Sequence, residues 1–280
     1  MNKFLRLCAF ADEAADSLTE QLDALRENGI ALLELRGANG ENVAALTVDE
    51  ASEMRKQLAD AGVAVWSLGS PFGKSPLAAP FPEAREQLLR LIDIAHALEA
   101  QHIRVFSFYP DKDQNPDDCL PEAADRLAQA CELARAADIR LCHENEKGIV
   151  GDIARRCAAL YRNVPDLLGV FDPANFIQSG EDAGKAWDEL KPHIHYLHIK
   201  DALPTGQVVP AGQGAGDVAR IVSEYRALPH ASGVMTVEPH LTVLSPEALE
   251  LHNKTPGAAP AYASRRLAFS AAVQALRLLI

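Results

Sequence analysis

No apolar run in this sequence approaches the ~18 residues that a bilayer-spanning helix needs. No cysteine pair has CxxC spacing: Cys8, Cys119, Cys131, Cys142 and Cys157 are scattered and odd in number. That pattern excludes a disulfide framework and a zinc ribbon, and reads as reduced thiols in a cytoplasmic protein. Positive charge is scarce, with 27 Lys+Arg against 39 Asp+Glu and a net charge of −12. A surface that acidic repels phosphate backbones and anionic membranes, so neither nucleic acid nor membrane is expected as a partner. Asp12 and Glu13 cut short the apolar start, so no signal peptide is expected. No stretch rich in Ser, Gly or charge divides the chain, and one domain over 1–280 is expected. Present instead is ample core material: 48% of the 280 residues are hydrophobic and 24% charged, as in ordinary soluble proteins.

Short apolar runs alternate with amphipathic stretches throughout. The runs are FLRLCAF (4–10), IALLELR (30–36), VAVWSLG (63–69), IRVFSFY (103–109), IRLCHEN (139–145), LLGVFDP (167–173), IHYLHIK (194–200) and GVMTVEP (233–239). They have the length and composition of parallel strands buried on both faces. Between them, Leu18, Leu22 and Leu25, then Val48, Ala51, Met54 and Leu58, keep helical spacing. Thr47 with Glu50 spells a capping box, and Asp217 is placed to cap a helix beginning VARIV. Eight strand–helix units predict a single (β/α)8 TIM barrel. The longest loops, 71–82 and 240–260, then fall on the catalytic face.

Barrel chemistry sits at the C-terminal ends of the strands. Those ends carry Glu34 and Arg36; Ser107 and Tyr109; His143, Glu144, Asn145 and Glu146; Asp172; His198 and Lys200; and Glu238 and His240. Four successive strands thus bring a carboxylate, a carboxylate, an imidazole and a carboxylate to one rim. Carboxylates so crowded call for a cation between them. An oxygen-rich set with one histidine suits Mn²⁺ best, or Mg²⁺, Zn²⁺ or Co²⁺. Taken singly, each residue has a plainer role: Asp172 before Pro173 as a turn cap, Glu238 as a strand-end acid, His198 as a packed histidine. Glu144 and Glu146 share a face, and the residue pattern does not choose between them.

HENE (143–146), FDPANF (171–176), HIKD (198–201) followed by GQG, and VEPH (237–240) resemble the xylose-isomerase-like TIM barrels. That superfamily includes sugar phosphate isomerases and epimerases, inosose dehydratases and the endonuclease IV group. The resemblance implies Glu144, Asp172, His198 and Glu238 as ligands of one divalent metal, and it selects Glu144 because Asn follows it. It also implies Glu144 and Glu238 as the catalytic pair that moves a proton through a metal-stabilised enediolate. One departure stands out: tagatose-type epimerases carry a histidine where this chain has Asn175.

Glu34, Ser70, Lys74, Asn175, Lys200 and His240 are read as groups that contact substrate. Arg104 is expected to pair with an inner acid such as Glu34, and Phe72 to serve as a lid. GQGAGD (212–217) reads as a helix start in preference to a phosphate cradle, while SPFGK (70–74) offers an anion or hydroxyl contact. The expected function is a metal-dependent isomerase or epimerase of a small sugar, sugar phosphate or related polyhydroxy-carbonyl compound, with a small-molecule carbohydrate as partner and a homodimer as the candidate assembly. An inosose-type dehydratase and a silent sugar-binding barrel are the alternatives. An endonuclease IV-type nuclease is disfavoured by the net charge and by the lack of extra histidines at strands 2 and 3.

Overall fold

A computed structural model describes residues 4–255 and 257–280. Eight parallel strands close into a barrel: β1 (Arg6–Ala9), β2 (Leu32–Leu35), β3 (Ala64–Gly69), β4 (His102–Val105), β5 (Arg140–Glu144), β6 (Leu168–Phe171), β7 (Ile194–Ile199) and β8 (Val234–Val237). Each strand pairs with the next and β8 pairs with β1, so no edge is left open. The helices around it include α1 (Leu18–Glu27), α2 (Val48–Asp60), α3 (Phe81–Ala97), α4 (Pro116–Ala136), α5 (Ala154–Asn163), the short α6 (Pro173–Gln178), α7 (Ala183–Leu190), α8 (Val218–Ala227), α9 (Pro246–Asn253) and α10 (Arg265–Arg277). This is the (β/α)8 architecture expected. Among the described residues no helix is long and apolar enough to cross a membrane.

Side chains alternate across each strand. Cys8, Cys142, Val170, Tyr196 and Val234 fill the barrel interior, whereas residues such as Leu33, Ile103, Leu141 and Leu197 join the larger layer beneath the helices. This alternation places the site. Glu144 follows Cys142 by two residues, Asp172 follows Val170 and His198 follows Tyr196, while Glu238 continues the Val234–Thr236 face. All four therefore stand above the interior layer.

Two local expectations are met differently. The capping box forms, with the Thr47 amide donating to Glu50 at 2.8 Å and the Glu50 amide to the Thr47 hydroxyl at 3.2 Å. Asp217, however, does not cap α8 with its side chain. Its backbone is left-handed (φ 52°), and its carboxylate accepts instead from Arg220 at 2.5 Å. The fourth apolar run also leaves the barrel early, because the amides of Phe106 and Phe108 bond the carbonyls of Phe72 and Gly73 in the loop after β3.

At the opposite end of the barrel His102 stacks on Trp66 with centroids 4.2 Å apart, and its Nε2 lies 3.1 Å from His195 Nε2. Burial lowers the His102 pKa to about 4 from the usual 6.5. An unfolded chain therefore takes up a proton that the folded chain refuses. The stabilisation is complete above pH ~6.5 and shrinks by about 1.4 kcal/mol per unit as pH falls toward ~4. Urea unfolding at about pH 7.5 and about pH 5 should show this loss, and His102→Gln should remove part of it. An unchanged pH slope in the variant would refute the assignment.

Candidate metal centre

Glu144, Asp172, His198 and Glu238 each offer one ligand atom, and those atoms all lie within 4.8 Å of one another. The four residues are buried, none more than 4% exposed. Asp172 Oδ2 and Glu238 Oε2 are buried, with the Lys200 ammonium as a neighbouring cation at 2.9 Å and 3.6 Å. Three carboxylates crowded with one imidazole favour a further cation among them. The donor set thus fits a divalent ion.

The histidine is oriented from behind. His198 Nε2 lies 3.1 Å from Glu34 Oε2, which leaves Nδ1 facing Glu144 Oε1 at 2.9 Å and Glu238 Oε2 at 3.3 Å. Glu34 also accepts from the Tyr196 hydroxyl at 2.8 Å and the Thr236 hydroxyl at 2.7 Å. A carboxylate on the far nitrogen fixes the tautomer and ring angle of a ligand histidine. The expectation that Glu34 contacts substrate is therefore corrected: it is fully buried beneath His198, and its partners are all internal.

Asp172 serves both readings at once. Its Oδ1 accepts the Asn175 amide at 3.0 Å and caps α6, while Oδ2 faces the cluster. Asn145 clamps the same residue, its carboxamide bonding both the Asp172 amide (2.9 Å) and carbonyl (3.0 Å). Burial, abetted by Glu238 and Glu144, pushes the Asp172 pKa up to about 7 against the pull of Lys200. Lys200 is itself buried, its Nζ 2.9 Å from Asp172 Oδ2 and 3.6 Å from Glu238 Oε2.

Glu144 pairs with Arg104 at 2.7 Å inside the barrel. Burial works against the Glu144 charge, but His198 and Arg104 outweigh it and hold the pKa down to about 2. Arg104 was expected to pair with an acid such as Glu34. Its actual partner follows from register, since Arg104 lies opposite Cys142, two residues before Glu144 on the same face. Glu146 points elsewhere, paired with Lys74 at 2.7 Å on the rim, so only Glu144 joins the cluster.

The other expected contacts divide. Asn175 is buried and donates to the Asn145 carbonyl at 2.9 Å and to Glu144 Oε1 at 3.4 Å. His240 stands at the mouth, 41% exposed, with Nε2 2.9 Å from Glu13 and 3.4 Å from Glu238. Lys74 lies on the rim over the Phe106 ring at 4.3 Å. Ser70 does not reach open space; it donates to the Arg104 carbonyl at 2.6 Å and is fully buried, so its substrate role is corrected. Phe72 is fully buried too and is no lid. Asp201 holds the GQGAG loop: its carboxylate accepts the amides of Gly212, Gly214 and Gly216, each at 2.9 Å. A Cβ on Gly214 would sit 2.3 Å from Asp201 Oδ1. An internal carboxylate thus fills the would-be phosphate cradle.

The family described as xylose isomerase-like TIM barrel matches residues 22–255. No curated protein matches the chain. Among solved structures, the IOLI protein with a binding zinc atom is similar, at a TM-score of 0.74 and 16% identity over 98% of both chains. An L-ribulose 3-epimerase aligns at 0.71 and 20% identity, covering 99% of this chain and 94% of that one. The probable 3-DHS dehydratase AsbF from Bacillus anthracis aligns at 0.68 and 18%, covering 98% and 99%. At these identities the likeness speaks for the fold.

Proposed function

The chain belongs to the xylose isomerase-like TIM barrel family, and on that footing we propose that it is a divalent-metal-dependent isomerase or epimerase of a small polyhydroxy-carbonyl compound. The observation that carries this reading is the buried convergence of Glu144, Asp172, His198 and Glu238, one ligand atom of each lying within 4.8 Å of the others. Similar folds include an epimerase, a probable dehydratase and a zinc-binding protein, which supports the same class of chemistry. Mn²⁺ is the proposed ion, since three carboxylates and one imidazole form an oxygen-rich donor set.

When bound, the cation supplies a Lewis acid that polarises a carbonyl and its neighbouring hydroxyl and so acidifies the C–H between them. Asp172 and His198 would hold the ion, the first fixed by Asn145 and its capping bond, the second by Glu34. Glu144 and Glu238 flank His198 and carry the proton: one removes it and the other returns it. Burial penalises the Glu238 charge, but Lys200, His198 and His240 more than compensate and keep the carboxylate below its usual range. It is therefore ionised and able to accept a proton at neutral pH. Lys200 balances charge beside Asp172.

Solvent-deuterium incorporation tests the proposal. The Mn²⁺-loaded protein should exchange the proton next to the carbonyl in at least one member of a panel of ketoses, ketose phosphates and inososes. Recovered epimer, aldose or dehydrated ketone would then distinguish epimerase, isomerase and dehydratase. No exchange with any compound, despite bound metal, would defeat the reading and favour a binding barrel.

A further inference from the structure

The floor of the barrel holds two histidines that the metal cluster does not use. His102 opens β4 and His195 is the second residue of β7, strands that β5 and β6 separate. Their Nε2 atoms nevertheless lie 3.1 Å apart. His102 Nδ1 is 3.2 Å from the Trp66 carbonyl, which can only accept, so Nδ1 carries the hydrogen and Nε2 the lone pair. A metal-bound histidine typically donates its other ring N–H to just such a carbonyl. Burial lowers the His102 pKa to about 4, which keeps that lone pair unprotonated at neutral pH. The spacing is that of neighbouring ligands on one ion. With metal–nitrogen bonds of about 2.0–2.1 Å, two nitrogens stand about 2.9 Å apart at a right angle and about 3.3 Å apart at the tetrahedral angle. The ring centroids of such a pair fall about 4.5–5.2 Å apart, and here they lie 5.1 Å apart. Trp66 packs over both rings, its centroid 4.2 Å from that of His102 and 6.0 Å from that of His195.

We propose that His102 and His195 form a second metal site, at the end of the barrel away from the cluster, that binds a Zn²⁺-type transition ion through two imidazole nitrogens with water completing its coordination. Imidazole suits Zn²⁺, Cu²⁺ and Ni²⁺, whereas Mn²⁺ and Mg²⁺ prefer oxygen. The two sites therefore differ in selectivity: Mn²⁺ fits the cluster alone, and Zn²⁺ fits both. Among the described residues no third His, Cys, Asp or Glu joins the pair. Arg140 stands opposite His102 in the β4–β5 register, and Arg6 lies over the Trp66 ring at 5.5 Å. Their positive charge weakens the hold on a dication, so the ion is exchangeable and not a permanent structural part. When bound it ties β4 to β7 and stabilises the fold as its concentration rises.

Calorimetric titration of the metal-free protein with Mn²⁺ and with Zn²⁺ counts the sites. Mn²⁺ should bind at one equivalent and Zn²⁺ at two. In His195→Ala, a half-buried position, the second Zn²⁺ should bind at least about tenfold more weakly, with the Mn²⁺ titration unchanged. The Mn²⁺ count judges the cluster and the loss in His195→Ala judges the pair, so the two readings fail separately. Trp66 supplies a local signal, because Ni²⁺ held by the pair would quench the indole stacked on it. Ni²⁺ should therefore quench the unmodified protein more than Trp66→Phe, in which Trp187 alone emits. A single Zn²⁺ equivalent in the unmodified protein overturns the proposal and leaves the contact as an imidazole–imidazole hydrogen bond. So does a second equivalent that persists undiminished in His195→Ala. If His195→Ala does not fold, the quenching decides: quenching lost with Trp66 sustains the site, and equal quenching in both proteins overturns it.

Discussion

Glu238→Gln is expected to slow proton exchange next to the substrate carbonyl by about 10²–10⁴ at saturating metal, with the fold intact. The amide keeps the size of the side chain and one oxygen for the ion, but it cannot take up a proton. The site around it should tolerate the change, because the cations nearest Glu238 Oε2 keep other carboxylates: Lys200 pairs with Asp172 and His198 with Glu34 and Glu144. Its Oε1 neighbours, Arg36 at 3.6 Å and His240 at 3.4 Å, have Asp12 and Glu13 as further partners. Metal affinity should fall as well, since one negative charge leaves the ligand set, so the comparison must be made at saturating Mn²⁺. Glu144→Gln should also abolish turnover, but with a difference. It takes from Arg104 the one carboxylate it pairs with among the described residues, and so should destabilise the fold where Glu238→Gln does not. Exchange within about tenfold of the unmodified protein, in a metallated and folded Glu238→Gln, would sink the assigned role.

The barrel and the cluster were legible for the same reason. Strand-end position and alternation of period two are both sequence properties, and together they bring Asp172, His198, Glu238 and one of Glu144 and Glu146 to one rim; the resemblance, through the Asn that follows it, selects Glu144. What alternation does not reveal is where each strand stops. β2 ends at Leu35, so Glu34 lies inside the barrel under His198, and Arg36 lies outside on the rim. A sequence reading that counts both as strand-end groups assigns Glu34 to substrate, although its contacts are with His198, Tyr196 and Thr236. Ser70 and Phe72 mislead in the same way: the loop after β3 folds back on Phe106 and Phe108 and buries what looked like rim. The glycines of GQGAG were equally ambiguous, because a nest that accepts phosphate also accepts the carboxylate of Asp201. The partner of Arg104 depends on cross-strand register, which composition does not encode.

Arg104→Met is expected to cost the metal-free protein about 3–5 kcal/mol of stability, the usual consequence of removing one member of a buried ion pair. Arg104 is buried, bonds Glu144 at 2.7 Å and lies over the Phe106 ring at 4.5 Å. Methionine restores much of the apolar volume, so the loss is chiefly one of charge. Without the guanidinium, the Glu144 carboxylate faces Glu238 with less compensation. The pH dependence gives the mechanism away. The folded pKa of Glu144 is held down to about 2, against 4.5 in the ordinary state. Its stabilisation is therefore full above pH ~4.5 and fades as pH falls toward ~2, so the penalty of the substitution should be largest near neutrality and shrink in acid. Metal should act in the same direction as the lost arginine, because a cation at the cluster compensates the same carboxylate. Mn²⁺ should accordingly stabilise Arg104→Met more than it stabilises the unmodified protein, measured by urea unfolding in chelator and in saturating ion. An equal deficit with and without metal would mean that Arg104 matters through packing against Phe106 and Phe10. A metal-sensitive deficit would make Arg104 the permanent counter-charge that keeps Glu144 ionised and in place for the ion.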